Sequence, residues 1–85
     1  MDKSWIGLNR KLSGYEIGVT KFLNFAFEHS AKQGMIHCPC KKCWNTEHKE
    51  RQVVHYHLLK YGMVESYTTW HYHGESFQEP SVDFN

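Results

Sequence analysis

The chain has 85 residues, with ten lysines and arginines, nine acidic residues and a formal net charge of +1. This length predicts a single domain, whose core leaves only a few kcal/mol of net stability, so a metal ion or another cross-link is expected. No stretch approaches the ~18 apolar residues of a membrane-spanning helix, which predicts a soluble protein without a membrane partner.

The charges are unevenly distributed along the chain. Residues 1–60 contain all ten lysines and arginines and five acids, a balance of +5, whereas residues 61–85 contain four acids and no lysine or arginine, a balance of −4. Such asymmetry is typical of a surface that faces nucleic acid, followed by an acidic tail. A solvated face with a polar terminus explains it equally well.

The first predicted helix begins near Ser13 and ends at about Ala31. Ser13 and Glu16 have the Ser-x-x-Glu spacing of a capping box, in which each side chain pairs with a free backbone N–H group. Ile17 and the apolar residues after it follow helical spacing, which predicts an inward face. Gly34, a few residues later, is expected to stop the helix.

Three cysteines, Cys38, Cys40 and Cys43, lie within six residues. They are too close to bridge one another comfortably, and their odd number argues against a disulfide framework. The Cys-x-x-Cys pair can turn back onto one tetrahedral zinc ion, with Cys38 as a third ligand. A redox role for the pair would need a thioredoxin-like βαβ context, which the sequence lacks.

The fourth ligand must come from the seven histidines. In the second helix, predicted over residues 48–61, His57 shares an inward stripe with Val54 and Leu58. A histidine on such a stripe is more often a hydrogen-bonded core residue, but its distance from Cys43 matches the loop-then-helix spacing of zinc fingers. His73 is the main competitor. The predicted zinc ligands are therefore Cys38, Cys40, Cys43 and His57, with His73 as the alternative fourth ligand.

Residues 63–73 are rich in aromatic and β-branched residues, which predicts one or two short strands or a hairpin, with Tyr67 and Trp70 in the core. Residues 76–85 lose periodicity and predict a flexible acidic tail. The expected fold is therefore a small zinc-stabilised α+β domain over residues 1–75. It comprises two main helices, a cysteine-rich metal-clip loop and a short C-terminal strand or hairpin.

Four cations lie close to the cysteines in sequence. Lys41 and Lys42 fall inside the clip, and Lys49 and Arg51 fall at the start of the second helix, where the helix dipole disfavours positive charge. A phosphate partner would explain them, which predicts a DNA contact that also includes Trp44.

Two other classes of function compete with DNA binding. Trp44, Tyr56 and Tyr72 could anchor a protein partner or a second copy of the chain as readily as stacked bases. The segments 39–43 and 73–75 match the two halves of the zinc-deaminase signature, but in the reverse order, so an enzyme of that type is a remote alternative.

Separated anchors extend over residues 1–75: Met1-Asp-Lys-Ser-Trp-Ile6, Arg10, Tyr15, Gly18-Val19, Phe22-Leu23-x-Phe25-Ala26, Ser30, Ile36-x-Cys-Pro-Cys-x-x-Cys43, Asn45, Val54-x-x-His57-Leu58-x-x-x-Gly62, Tyr67-x-x-Trp70 and His73-Gly-Glu75. In this order they resemble the transposase-associated domain, found at the N-terminal end of plant proteins related to CACTA (En/Spm) transposons. Met63 stands where the family usually has Phe.

The resemblance implies a nuclear role in plant DNA transposition, or in a host protein derived from it. The simplest form of that role is a zinc-stabilised, non-catalytic module that helps to position a transposase on DNA. A DDE-type transposase needs separated carboxylates that hold two metal ions, and the acids here are scattered singly. Both His57 and His73 match the family motif, so the resemblance does not choose between them.

Overall fold

The computed structural model describes residues 2–75, which contain two α-helices and one antiparallel strand pair. The predicted α+β class with two main helices is confirmed. The predicted acidic tail over residues 76–85 lies outside the described residues. The elements in chain order are a 3₁₀ helix at Ser4–Gly7, α1 at Ser13–His29, β1 at Met35–His37, β2 at His48–Glu50, α2 at Arg51–Lys60 and a 3₁₀ helix at His71–His73.

Helix α1 does not begin with the predicted capping box. Ser13 is its first helical residue, Leu12 occupies the N-cap position, and no side chain caps the helix there. The N–H group of Tyr15 instead donates to the Leu12 carbonyl at 3.1 Å. The helix ends at His29, two residues earlier than predicted, where the hydroxyl and the N–H of Ser30 both donate to the Ala26 carbonyl.

The buried face of α1 is rotated relative to the prediction, because Ile17 is 56% exposed. Gly18 replaces it on the inward side, where a Cβ atom would lie only 2.2 Å from the ring of Trp5. Glycine at this position therefore lets the N-terminal segment pack directly on the helix. The buried residues of α1 are Tyr15, Gly18, Val19, Phe22, Leu23 and Ala26.

The strands lie before α2 and not at the predicted C-terminal position. β1 and β2 pair in the register Met35↔Glu50, Ile36↔Lys49 and His37↔His48. Because residues 48–50 form a strand, α2 begins three residues later than predicted. Gly34 lies not at a helix end but in a turn leading into β1, where it and Gln33 both have positive φ.

The described residues 63–75 form turns and a 3₁₀ helix, so the prediction of a C-terminal strand is wrong. Their backbone groups pair locally, as in the bonds from the Tyr67 N–H to the Val64 carbonyl and from the His73 N–H to the Trp70 carbonyl. The exception is the isolated bridge between Met63 and Cys40, where the flanking Gly62 and Val64 pair with the cysteine loop. Local pairing leaves these groups unavailable to a strand partner.

Trp70 lies at the centre of the core, as predicted, and is fully buried. Its ring centroid is 4.9 Å from that of Phe22 and 6.3 Å from that of Trp5. Lys3 covers this group, with its Nζ atom 4.7 Å from the Trp70 ring and 2.5 Å from the Glu75 carboxylate. The two ends of the described domain therefore meet over the core.

Tyr15 connects α1 to the end of α2. Its hydroxyl donates to the Leu58 carbonyl at 2.8 Å and accepts from the Met63 N–H at 3.1 Å. This buried pair of bonds positions α2, and with it His57, relative to the rest of the chain. Within residues 2–75, no helix has the length and apolar character needed to cross a membrane.

Candidate metal centre

The three cysteines lie in the loop that joins β1 to β2. The strand pairing holds the two ends of this loop together, and the Cys38 N–H donates to the Glu47 carbonyl at 2.9 Å. Trp44 and Asn45 both have positive φ, 52° and 62°, which turns the chain back after Cys43. The loop therefore folds around its own cysteines.

A hydrogen bond of the knuckle type supports the second cysteine. The Cys43 N–H donates to the Sγ atom of Cys40 at 3.2 Å, which fixes the two cysteines relative to each other. On the other side of the loop, the Val64 N–H donates to the Pro39 carbonyl and the Lys41 N–H donates to the Gly62 carbonyl. The chain that follows α2 thus packs against the clip.

The structure brings Cys38, Cys40, Cys43 and His57 together, with all four possible ligand atoms within 4.8 Å of one another. The Nδ1 atom of His57 lies 3.6 Å from the sulfurs of Cys38 and Cys40 and 3.5 Å from that of Cys43. Tetrahedral zinc, with bonds of about 2.3 Å to sulfur and 2.0 to 2.1 Å to nitrogen, separates these ligands by about 3.6 Å. The residues therefore fit one four-coordinate ion.

Burial shifts the pKa values of three members of this cluster, Cys38, Cys43 and His57. It raises the pKa of the Cys38 and Cys43 thiols above the ordinary value, so that they hold their protons until a cation replaces them. Burial, followed by the charges of Lys42 and Lys49, lowers the pKa of His57. A neutral imidazole has the lone pair that a metal ligand requires.

His73, the alternative fourth ligand, lies in the core outside this cluster. Its Nε2–H group donates to the His37 carbonyl at 2.6 Å, and its Nδ1 atom accepts from the Tyr67 hydroxyl at 2.6 Å. Burial lowers the pKa of His73 to about 4, which keeps the ring neutral. With both ring nitrogens engaged, His73 is a hydrogen-bonded core residue.

Three of the four predicted DNA-contacting cations already have partners. Lys41 lies 3.3 Å from the Glu65 carboxylate, and Lys49 lies 3.1 Å from that of Glu47. Arg51 donates to the Asn24 side chain at 2.7 Å. The contact between Lys41 and Glu65 also shows that the acids of the C-terminal part are not separated from the basic part.

The sequence analysis did not predict that lysines and tyrosines near the end of α2 lie together. Lys60 lies 5.5 Å from the ring centroid of Tyr56 and 5.4 Å from that of Tyr61, and Lys42 lies 5.5 Å from the Tyr61 centroid. The four-residue spacing of Tyr56 and Lys60 on α2 was the available signal. We call Lys42, Tyr56, Lys60 and Tyr61 the basic-aromatic face.

Trp44, the predicted stacking residue, is 59% exposed in the loop between β1 and β2, and Tyr56 is 57% exposed. Large aromatic side chains that face solvent next to lysines are able to stack on bases or sugars. The region around the cluster thus combines positive charge with exposed rings.

Two helices and a strand pair around a closed set of three cysteines and one histidine define a small α+β domain with a candidate structural metal site. The sequence model of the transposase-associated domain matches residues 3–75, and the chain belongs to that family, as the sequence resemblance predicted. This is an accessory domain and not a known catalytic family, and it indicates a transposon-related role. Comparisons with curated proteins and with solved structures gave no match.

Proposed function

We propose that this domain is a zinc-stabilised, non-catalytic module that binds DNA for a transposase, or for a host protein derived from one, in the plant nucleus. Its zinc ligands are Cys38, Cys40, Cys43 and His57. Bound zinc would cross-link the loop between β1 and β2 to helix α2. The observation that carries the proposal is the grouping of cations around this ligand set.

The donor set favours zinc among the common metal ions. Three thiolates and one imidazole at tetrahedral spacing are the ligands of structural zinc sites, whereas magnesium and calcium prefer oxygen ligands. Four protein ligands also fill the tetrahedral coordination shell, so no position remains for the water molecule that a zinc hydrolase activates.

The surroundings of Glu75 give the deaminase alternative no support. That signature needs a glutamate that moves protons at the metal. Here one Glu75 carboxylate oxygen accepts from the Lys3 ammonium and from the Trp70 N–H, at 2.5 and 2.7 Å. The neighbouring His73 is buried in the core. His73 and Glu75, which match the H-x-E half of the signature, therefore both stabilise the fold.

Positive charge beside the cluster supports DNA binding. Burial lowers the pKa of His57 most, and the charges of Lys42, Lys49 and Lys60 lower it further. Within residues 2–75, Lys42 and Lys60 stand over aromatic rings and not against carboxylates. Lysines placed in this way are able to neutralise phosphates, while Trp44 and Tyr56 add stacking contacts.

The test is a salt titration of duplex DNA binding, read by fluorescence anisotropy with the zinc-loaded domain. Each phosphate contact contributes about 0.9 to the slope of log K against log salt. The double variant Lys42→Gln/Lys60→Gln should therefore bind more weakly and reduce the slope by roughly two. The control, Lys11→Gln/Lys21→Gln, removes the same charge elsewhere and should retain the parent slope. Equal slopes for the two double variants would refute the proposed face.

Exposed apolar side chains favour a second candidate, a dimerisation or protein-interaction module of the transposition complex. Leu12 is 51% exposed and Ile17 is 56% exposed, and Ile17 and Leu8 line a shallow groove with Trp5. Association through such a surface would be insensitive to salt. Sedimentation equilibrium of the parent and of Ile17→Gln tests this candidate. If the chain self-associates through this surface, the parent should be a dimer and the variant a monomer.

A further inference from the structure

A second group of histidines lies outside the metal centre. His29, His37, His48 and His71 line one cavity of about 300 Å³ together with Tyr72. His48 and His71 are exposed and His37 is half-buried, so the cavity is accessible from solvent. Imidazole is a good ligand for zinc, copper and nickel, so four such rings around one cavity raise the question of a second metal site.

Two of these histidines face each other across the strand pair. His37 on β1 and His48 on β2 are direct partners in the register, and their ring centroids lie 4.1 Å apart. Directly opposite residues project from the same face of an antiparallel pair. The two rings are therefore already together, and a divalent ion could bind both with little rearrangement of the backbone.

Hydrogen bonds fix the tautomer of two of the rings. The Nδ1 atom of His37 lies 2.9 Å from the Asn45 carbonyl, and that of His71 lies 2.9 Å from the Thr69 carbonyl. Because a carbonyl only accepts, each ring carries its proton on Nδ1 and keeps the Nε2 lone pair free. This backbone bond is the usual support behind a metal-bound imidazole.

We propose that His37 and His48 chelate a second Zn²⁺ ion, with His71 as a third ligand. Tyr72 connects the third histidine to the pair, with its ring centroid 4.4 Å from that of His71 and 5.2 Å from that of His37. Within residues 2–75, only the cysteine cluster has three or more ligand atoms within reach of one metal ion. The nitrogens of His37, His48 and His71 are not yet that close. The exposed His71 ring must therefore rotate to complete the second site.

The position of the pair gives the second site a structural consequence. His37 directly precedes Cys38 and His48 directly follows Glu47, so the two histidines flank the metal-binding loop. An ion held between them would close the base of that loop. Neutral ligands and an exposed location make this site weaker than one with three thiolates, and the Lys32 ammonium, which also lines the cavity, opposes a cation.

Equilibrium dialysis against zinc tests the proposal by counting bound equivalents in the parent, His48→Gln and His55→Gln. The parent should bind one tight and one weaker equivalent. His48→Gln should weaken only the second, by roughly tenfold or more, the loss expected even for an outer-shell partner. His55→Gln, a histidine variant on α2 outside the cavity, should retain both equivalents, and Lys32→Gln should tighten the second.

Several outcomes would overturn the proposal. One is that the parent binds a single zinc equivalent and His48→Gln still binds it. Another is that the parent binds two equivalents and His48→Gln binds the second as tightly as the parent does. The third is that His55→Gln loses the second equivalent as fully as His48→Gln does. A single equivalent that is lost only in His48→Gln would instead support this site and refute the cysteine site. Since His48 is exposed, its replacement leaves the core intact, and NMR of the imidazole nitrogens should show the second equivalent shifting His37 and His48 together.

Discussion

The Nδ1 atom of His57 lies 3.6 Å from the Sγ atom of Cys38, although the two residues are 19 positions apart in the chain. This contact places helix α2 against the loop between β1 and β2. The cluster joins helix α2, which has ten residues, to a loop between two three-residue strands. Elements this short have few contacts of their own, so we expect zinc to hold the domain together as well as to order the loop.

We predict that Cys40→Ser unfolds the domain. Structural zinc contributes on the order of 10 kcal/mol in small metal-folded peptides, which exceeds the net stability expected of a domain of this size. Circular dichroism and native mass spectrometry should show loss of helix together with loss of metal. His55→Gln, on α2 but outside the cluster, should remain folded with zinc bound. A fully folded, metal-free parent chain would contradict the prediction.

The two candidate fourth ligands should respond differently to replacement. His57→Ala removes a ligand and should abolish the tight equivalent of zinc, measured by competition with a zinc-sensitive dye. His73→Gln removes a ring whose nitrogens already pair with the His37 carbonyl and the Tyr67 hydroxyl, so it should retain the zinc. The opposite pattern would show that His73 is the fourth ligand.

The stability of the domain should fall in mild acid because of His73. Burial lowers its pKa from 6.5 to about 4, so between these values the unfolded chain binds a proton that the folded chain does not. This contribution is therefore fully present above pH 6.5, decreases as the pH falls and levels off below about 4, with a total loss of about 3 kcal/mol. The measurement is denaturant unfolding of the parent and His73→Gln at several pH values. The difference between them should vary with pH, and a constant difference would refute the assignment.

Tyr15→Phe should destabilise the fold by about 1 to 3 kcal/mol, because it leaves the buried Leu58 carbonyl and Met63 N–H without their partner. Tyr56→Phe is the matched control, since the Tyr56 side chain is 57% exposed. Urea unfolding of both variants gives the comparison. Equal losses would mean that the Tyr15 hydroxyl bonds do not connect α1 to α2 as described.

Trp44→Gly should separate DNA binding from stability. Trp44 has a φ of 52°, in the left-handed region, which costs a residue with a Cβ atom about 1 kcal/mol and costs glycine little. Thermal unfolding should therefore show no loss of stability, and a gain of up to about 1 kcal/mol is expected. Anisotropy with DNA should show weaker binding, and unchanged DNA affinity would exclude a stacking role for the ring.

Short-range patterns predicted which three cysteines and which histidine come together. The clip is contained in six residues, and the position of His57 on α2 follows from helical periodicity, so both could be read locally. The exclusion of His73 from the cluster could not be predicted from the sequence. It depends on the buried hydrogen bonds to the His37 carbonyl and to Tyr67, which join distant parts of the fold.

The missed elements have a common cause. Three-residue strands such as Met35–His37 are too short for alternation to be visible, and the turn before them depends on positive φ at Gln33. Ser13 matched a capping box by spacing, but the N-cap position is occupied by Leu12. The contacts of Lys60 could not be predicted from hydrophobic patterning, because Tyr56 lies on the exposed side of α2 and Tyr61 is partly buried against the core.

The contact of Lys3 with Glu75 brings the first and last parts of the described domain to one place on the surface. Polypeptide joined at either end would therefore leave from the same side. A domain whose ends lie together can be inserted into a larger protein without separating the segments on either side.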